Sequence, residues 1–258
     1  MKKKLLTMLG VVVAVAAIVA ASVTGTIAYL TSSAAVSNVF TVGNVQIVMD
    51  ETKVNPDGTP VDGAARVDTN TYHLVPGKKY LKDPQIRVNA GSENSYLFVL
   101  LRNDLEGIGP VEDTPYLTIA EQMEYLGWVP YTEASTGTVY VYNGASAGNN
   151  TKAIPESGAE FDEIINKRFA NASATTPAAT DIIATTTVEG GVYDLFKYFY
   201  TDPSNKSLDT YGAAKITLTA VAIQVTGFHG EVGSKQSVDE AWAAVKEAYP
   251  YIHTGSSH

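Results

Sequence analysis

The chain of 258 residues contains no cysteine. That absence excludes disulfides, thiolate metal ligands, a cysteine nucleophile and a lipid-modified cysteine anchor. Histidine is scarce as well: His73, His229, His253 and His258 are scattered, and none has a partner at metal-ligand spacing. No H-E-x-x-H pair, S-x-x-K box or Gly-rich phosphate loop occurs, so those routes to hydrolytic or nucleotide chemistry are closed. Positive charge is in deficit, with 18 basic against 27 acidic residues and a formal charge of −9. An acidic surface repels phosphate backbones and anionic lipid, and no nucleic-acid partner is expected. Carboxylates are too numerous for any one pair to point to a general acid; Glu93 beside a core strand and Glu121 on an expected helix read as solvated or turn residues. We expect no catalytic residue, no metal site and no cofactor, and the sequence does not read as an enzyme.

Outside residues 5–23 no apolar run reaches spanning length, and neither a C-terminal hydrophobic tail nor an LPxTG-like sorting signal is present. Residues 1–28 read as an export signal. Lys2, Lys3 and Lys4 form a positive n-region, Leu5 to Val23 is nearly unbroken apolar sequence, and Thr26-Ile27-Ala28 places small residues at −3 and −1. The expected cut falls between Ala28 and Tyr29. A retained membrane anchor is the rival reading, disfavoured because small residues follow the run and no basic stop-transfer cluster does. Loss of the three lysines leaves 15 basic against 27 acidic residues, or −12. A secreted protein without disulfides suits a Gram-positive bacterium.

Tyrosine (15 residues), with abundant Thr and Val, favours strands, because aromatic and β-branched side chains fit a pleated surface. Residues 38–51 read as a strand whose parity changes at Gly43-Asn44, which is either a kink in a first strand or a hinge between a donor segment and that strand. Asn55 to Pro60 is turn chemistry rather than a calcium loop, and Val75-Pro76-Gly77 fits a type II turn. Asp83 to Asn89 alternates like a half-buried strand, whereas Ser95 to Arg102 is apolar on both parities, as in a strand buried on both faces. Residues 116–126 and 159–169 read as short helices, the second with Phe161, Ile164, Ile165 and Phe169 on one stripe. Residues 128–131 and 138–142 read as a strand pair, 192–200 as a strand, and 215–225 as a long strand, bulged or buried on both sides. Ser237-Val238-Asp239-Glu240 reads as a capping box opening a C-terminal helix with Trp242, Val245 and Tyr249 on one face. The expected fold is all-β: a two-sheet antiparallel jelly-roll-like sandwich with a few short inserted helices and a C-terminal helix. Residues 29–258 form one domain, with 146–187 a loop-rich insertion carrying a short helix. A Lys–Asn isopeptide crosslink would take Lys79 or Lys82, near strand starts, as its amine, but no sequence pattern supports it.

Thr24-Gly25-Thr26-Ile27-Ala28-Tyr29-Leu30-Thr31, followed after a gap by Asn38-Val39-Phe40-Thr41-Val42-Gly43-Asn44-Val45, resembles the pattern G-T-x-A-[FY]-[FL]-[ST]…N-x-F-[TA]-x-G-x-[LV]. That pattern marks the TasA/camelysin family of secreted biofilm-matrix fibre proteins, cut by a SipW-type signal peptidase. Val75-Pro76-Gly77, Lys82-Asp83-Pro84, Ser92-Glu93-Asn94-Ser95-Tyr96, Leu195-Phe196, 220–224 and Glu240-Ala241-Trp242 resemble a clostridial-type branch. The resemblance implies a jelly-roll body, cleavage before Tyr29, and polymerisation by donor-strand exchange. Residues 29–43 are then the candidate donor strand, with Tyr29, Leu30, Val36, Val39, Phe40 and Val42 as donor side chains and Gly43 and Asn44 as the hinge. The partners implied are further copies of the chain, the SipW-type peptidase and an accessory matrix protein, in the extracellular matrix or at the cell surface. Camelysin members are labelled metalloproteases, but no zinc site is carried over to these residues. The alternative is a monomeric secreted adhesin or carbohydrate-binding module.

Overall fold

The computed structural model describes residues 31–42, 45–110, 115–134, 137–144, 152–171, 190–204 and 214–250. In chain order the strands are β1 (Thr31–Val42), β2 (Ile47–Asp50), β3 (Thr69–His73), β4 (Lys79–Leu81), β5 (Gln85–Val88) and β6 (Ser95–Asn103). They continue as β7 (Trp128–Ala134), β8 (Gly137–Tyr142), β9 (Gly191–Asp194), β10 (Tyr198–Tyr200) and β11 (Ile216–Gln224). Three α-helices are described: α1 (Ile119–Tyr125), α2 (Ala159–Asn171) and α3 (Lys235–Ala248).

Strand β6 sits inside the largest sheet, ordered β3-β1-β11-β6-β8-β7, and its first seven residues are all buried. Odd and even positions serve different cores. Leu97, Val99 and Leu101 join Leu218, Ala220 and Ala222 of β11 on one face. That face packs against Ile86, Tyr193, Phe199 and Met123, from two smaller sheets and α1. Tyr96, Phe98 and Leu100 join Val221 and Ile223 on the other face, which Val238, Ala241, Trp242 and Val245 of α3 cover. The smaller sheets are β2-β5-β9 and β10-β4.

This architecture corrects the sandwich expectation. The fold is mixed, with three α-helices and three open sheets among the described residues, not an all-β jelly-roll-like sandwich. The strands are not all antiparallel either, since β1 runs parallel to β11. The physical cause lies in β6 and β11. A two-sheet sandwich leaves the outer face of each sheet polar, whereas these strands present apolar side chains on both faces and need a second cover. Helix α3 supplies it. Phe98 and Trp242 pack with ring centroids 5.2 Å apart, and the Tyr96 hydroxyl accepts from the Gly233 N–H at 2.7 Å and bonds Ser237 Oγ at 2.8 Å.

Smaller differences have equally local reasons. Helix α3 opens at Ser234, whose side chain accepts from Ser237 N, three residues before the expected cap. Residues 192–200 break into β9 and β10, which belong to different sheets. The slip of parity in 215–225 is burial on both sides rather than a bulge, because β11 pairs with β6 in continuous register. Helix α1 carries a capping box that the reading omitted: Thr118 accepts from Glu121 N while Glu121 accepts from Thr118 N. Gly77 has φ +75°, as the type II turn requires, and Asp57 caps its own turn by accepting from Thr59 N at 3.0 Å.

Candidate assembly strand and a buried ionic centre

Strand β1 is the first of the described elements, yet its partners lie far along the chain. Its first half pairs antiparallel with β3, from Thr31 opposite His73 to Ala35 opposite Thr69. Its second half pairs parallel with β11, from Val36 opposite Leu218 to Val42 opposite Ile223, with a register shift between Val36 and Val39. Of the expected donor residues, Val36, Val39, Phe40 and Val42 therefore lie along β11, opposite Leu218, Ala220, Val221 and Ile223. Ala28, Tyr29 and Leu30, and the expected hinge residues Gly43 and Asn44, lie outside the described residues, as does the expected export signal at 1–28. Of the expected insertion at 146–187, residues 152–171 with helix α2 are described and the remainder lies outside the described residues. Strand β2, which begins at Ile47, belongs to a different sheet, so the chain changes sheets between Val42 and Ile47.

The two ends of the large sheet are built differently. At the far end β7 carries Pro130 and a register shift between Pro130 and Thr132, devices that discourage pairing with another chain. At the near end, β3 has β1 as its strand neighbour and carries no proline.

Behind β3 lies an ionic centre that the sequence reading met only in part. Asp50-Glu51 leaves β2 and Lys82-Asp83 leaves β4, and alternation sends the first and last of these outward and the middle two inward. Arg66 joins Asp50 at 2.5 Å and Asp83 at 3.2 Å, and Arg87 joins Asp50 at 2.9 Å. Burial pushes the Asp50 carboxyl up, but hydrogen bonds from Arg66 and Gln85 and the charges of Arg66 and Arg87 hold it below the usual range. Inside, Lys82 Nζ donates to Glu51 Oε2 at 2.6 Å, with both side chains fully buried. Asn70 of β3, also buried, donates through Nδ2 to Glu51 Oε1 at 3.0 Å and to Thr52 O at 2.8 Å, and its Oδ1 accepts from Val54 N at 2.9 Å. Tyr72 roofs the centre, donating to Leu81 O at 3.0 Å; burial, then the Glu51 and Asp83 charges, push its hydroxyl up. Lys79, the other amine considered, is near the surface and pairs with Glu156 at 2.7 Å.

Sequence reasoning singled out neither Glu51 nor Asn70. The available signal was parity: Asn70 shares its strand face with the buried Tyr72 and Leu74, so it had to be either inward and bonded or misplaced.

Asn103, Asp104, Glu106, Thr118, Tyr140 and Tyr200 line a cleft of about 280 Å³ beside α1. Gly144-Ala145-Ser146-Ala147-Gly148 has the spacing of a nucleophile elbow, a match that the sequence reading missed. It follows β8, and its residues 145–148 lie outside the described residues. Among the described residues no group of three or more His, Asp or Glu is arranged to hold a metal, and no helix is long and apolar enough to cross a membrane. No protein-family model, no curated protein and no solved structure matches the chain.

Proposed function

We propose that this chain is a secreted structural subunit of an extracellular matrix fibre, assembled when β1 of one copy takes its place against β11 of the next. The observation that carries the reading is the position of β1: the chain's first strand completes the outer edge of β11 and is the strand neighbour of β3. A terminal strand joined to its body by a short connection is the element most readily exchanged between copies. Main-chain bonds supply affinity in such an exchange and alternate side chains supply register. Because donor and acceptor are different surfaces, the contact is head-to-tail and extends rather than closes. The protected far edge at Pro130 favours growth at one end of the sheet only.

On this reading a SipW-type peptidase cuts before Tyr29 and frees the donor, and an accessory matrix protein is a further partner. The test is negative-stain microscopy of protein beginning at Tyr29 beside protein beginning at Gly43. Filaments from the first and none from the second are expected. Monomers from both, at high concentration and across pH, would refute the assembly.

The cleft beside α1, with its mixture of acids, amides and tyrosines, favours one alternative: a monomeric secreted adhesin or carbohydrate-binding module. That alternative requires ligand binding that survives removal of residues 29–42.

A further inference from the structure

We propose that Lys82 and Asn70 are joined in the mature protein by an intramolecular isopeptide bond, formed autocatalytically with Glu51 as the proton carrier. Three observations converge on these atoms. One carboxylate bridges both reacting groups, with Glu51 Oε2 at 2.6 Å from Lys82 Nζ and Oε1 at 3.0 Å from Asn70 Nδ2. The Asn70 carbonyl is polarised by the Val54 N–H at 2.9 Å, a donor placed where negative charge develops on Oδ1 during attack. All three side chains are buried, with relative exposures of 0% for Glu51, 1% for Lys82 and 5% for Asn70, so water does not compete for the acyl carbon.

The step balances without an added reagent. Lys82 gives a proton to Glu51 and becomes a neutral amine, a form that burial favours over the ammonium, against the opposing Glu51 charge. The Nζ lone pair attacks Asn70 Cγ, and the resulting oxyanion rests against Val54 N–H. Glu51 carries protons from Nζ to Nδ2, the Cγ–Nδ2 bond breaks, and ammonia leaves. A new Nζ–Cγ amide remains, the proton that Lys82 first gave up leaves with the ammonia as ammonium, and Glu51 is regenerated as a carboxylate. No atom is oxidised or reduced.

A buried Lys–Glu pair with an adjacent Asn is also explicable as an ordinary ion pair, in which the contact persists and no bond forms. The difference is a mass. The amide ties β3 to the segment leaving β4, two elements of different sheets, and it does not require exchange of β1.

The test is intact-mass spectrometry of the purified chain under denaturing conditions, with fragment sequencing after digestion by a protease that spares lysine. The expected result is a mass lower than the sequence mass by one ammonia, with a branched fragment containing Asn70 and Lys82. Lys82→Met and Glu51→Gln should restore the full sequence mass. The readout on the parent chain does not depend on whether those variants fold. A parent chain at its full sequence mass would overturn the proposal, leaving an ion pair. Loss of water with Lys82 joined to Glu51 would overturn the assignment of Asn70 as acyl donor. An ammonia deficit that maps to another asparagine, such as Asn143 before Gly144, would also overturn it, and a deficit that persists in Glu51→Gln would remove Glu51 from the mechanism.

Discussion

Exchange of β1 between copies requires that it leave its own sheet without unfolding the rest, and hydrogen exchange measures that directly. Fixing the backbone of a residue costs about 1–2 kcal/mol, and a main-chain hydrogen bond returns a net of only about 1 kcal/mol. Pairing alone therefore does not hold a twelve-residue strand with one strand partner along each half. Burial must supply the remainder. Strand β6 differs: β11 and β8 flank it, and six of its buried residues, Tyr96 to Leu101, are shared between two cores. Each buried apolar side chain contributes about 1.5–3 kcal/mol, so an opening that uncovers two fewer of them costs at least about 3 kcal/mol less. That is roughly a hundredfold in the opening equilibrium. The prediction is that amides of residues 31–42 exchange by sub-global opening, at least about a hundredfold faster than those of residues 96–101 after correction for intrinsic rates. Exchange followed by mass spectrometry on monomeric protein reads this segment by segment. Equal protection of the two strands would refute the reasoning, because β1 would then leave only when the whole molecule unfolds.

Trp242→Ala removes the side chain that seals the outer face of β6 against Phe98 and Tyr131; it should cost about 3–5 kcal/mol in urea unfolding, and a loss below 1 kcal/mol would deny α3 its covering role. Gly127 has φ +92°, and a Cβ there would meet Gly144 Cα at 2.5 Å, so Gly127→Ala should lose about 1–3 kcal/mol; an unchanged melting temperature would contradict the β7–β8 closure. The Asp50 carboxyl is depressed in the folded state, so its contribution is present above its unfolded pKa of about 3.9 and is lost as pH falls through the folded value. Arg66→Met should therefore lower the urea midpoint at neutral pH and remove part of the acid-induced fall, whereas a variant keeping the whole fall would separate Arg66 from Asp50. Asn70→Ala strips buried bonds to Thr52, Val54 and Glu51 and should weaken binding of a peptide of residues 29–42 to protein beginning at Gly43 by about tenfold or more; unchanged affinity in a peptide titration would show that β3 is not part of the acceptor.

The local elements were largely legible, because each is written in a short period or a turn. The alternation of Gln85 to Val88, the doubly apolar Ser95 to Leu101 and the strand pair 128–142 all occur where the residues place them. The layer arrangement was not. Ser95 to Leu101 already demanded cover on two faces, and the stripe of Trp242 and Val245 already offered it, but linking them needs a long-range contact that no local period encodes. The same limit hid the ionic centre. Glu51, Asn70 and Lys82 are separated by 19 and 12 residues in the chain and meet only because three sheets converge there. Lys82 was singled out for standing at a strand boundary; its acyl partner and its carboxylate were visible only as an inward-facing Asn and the inner member of an Asp-Glu pair.

The ionic centre and the assembly strand touch at β3, and that contact gives the buried charges a purpose that stability does not. Replacing a buried ion pair by apolar residues is often neutral or favourable, so Lys82 and Glu51 are poorly explained as a source of folding energy. Strand β3, however, has β1 as its strand neighbour, and in the proposed assembly it loses that neighbour when β1 passes to another copy. Asn70, opposite Ala34 of β1, is the point at which β3 is held from behind, through Glu51 and Lys82 while the side chains are ionic and through the proposed Lys82 amide once it forms. Tyr72, two residues on, adds its bond to Leu81 and its edge-on packing against Phe199 at 5.1 Å. An acceptor edge pinned in this way stays extended while empty, and the incoming strand then bears only its own ordering cost. A polar anchor does this better than an apolar one, because its hydrogen bonds fix direction and register where apolar contact would let β3 slide.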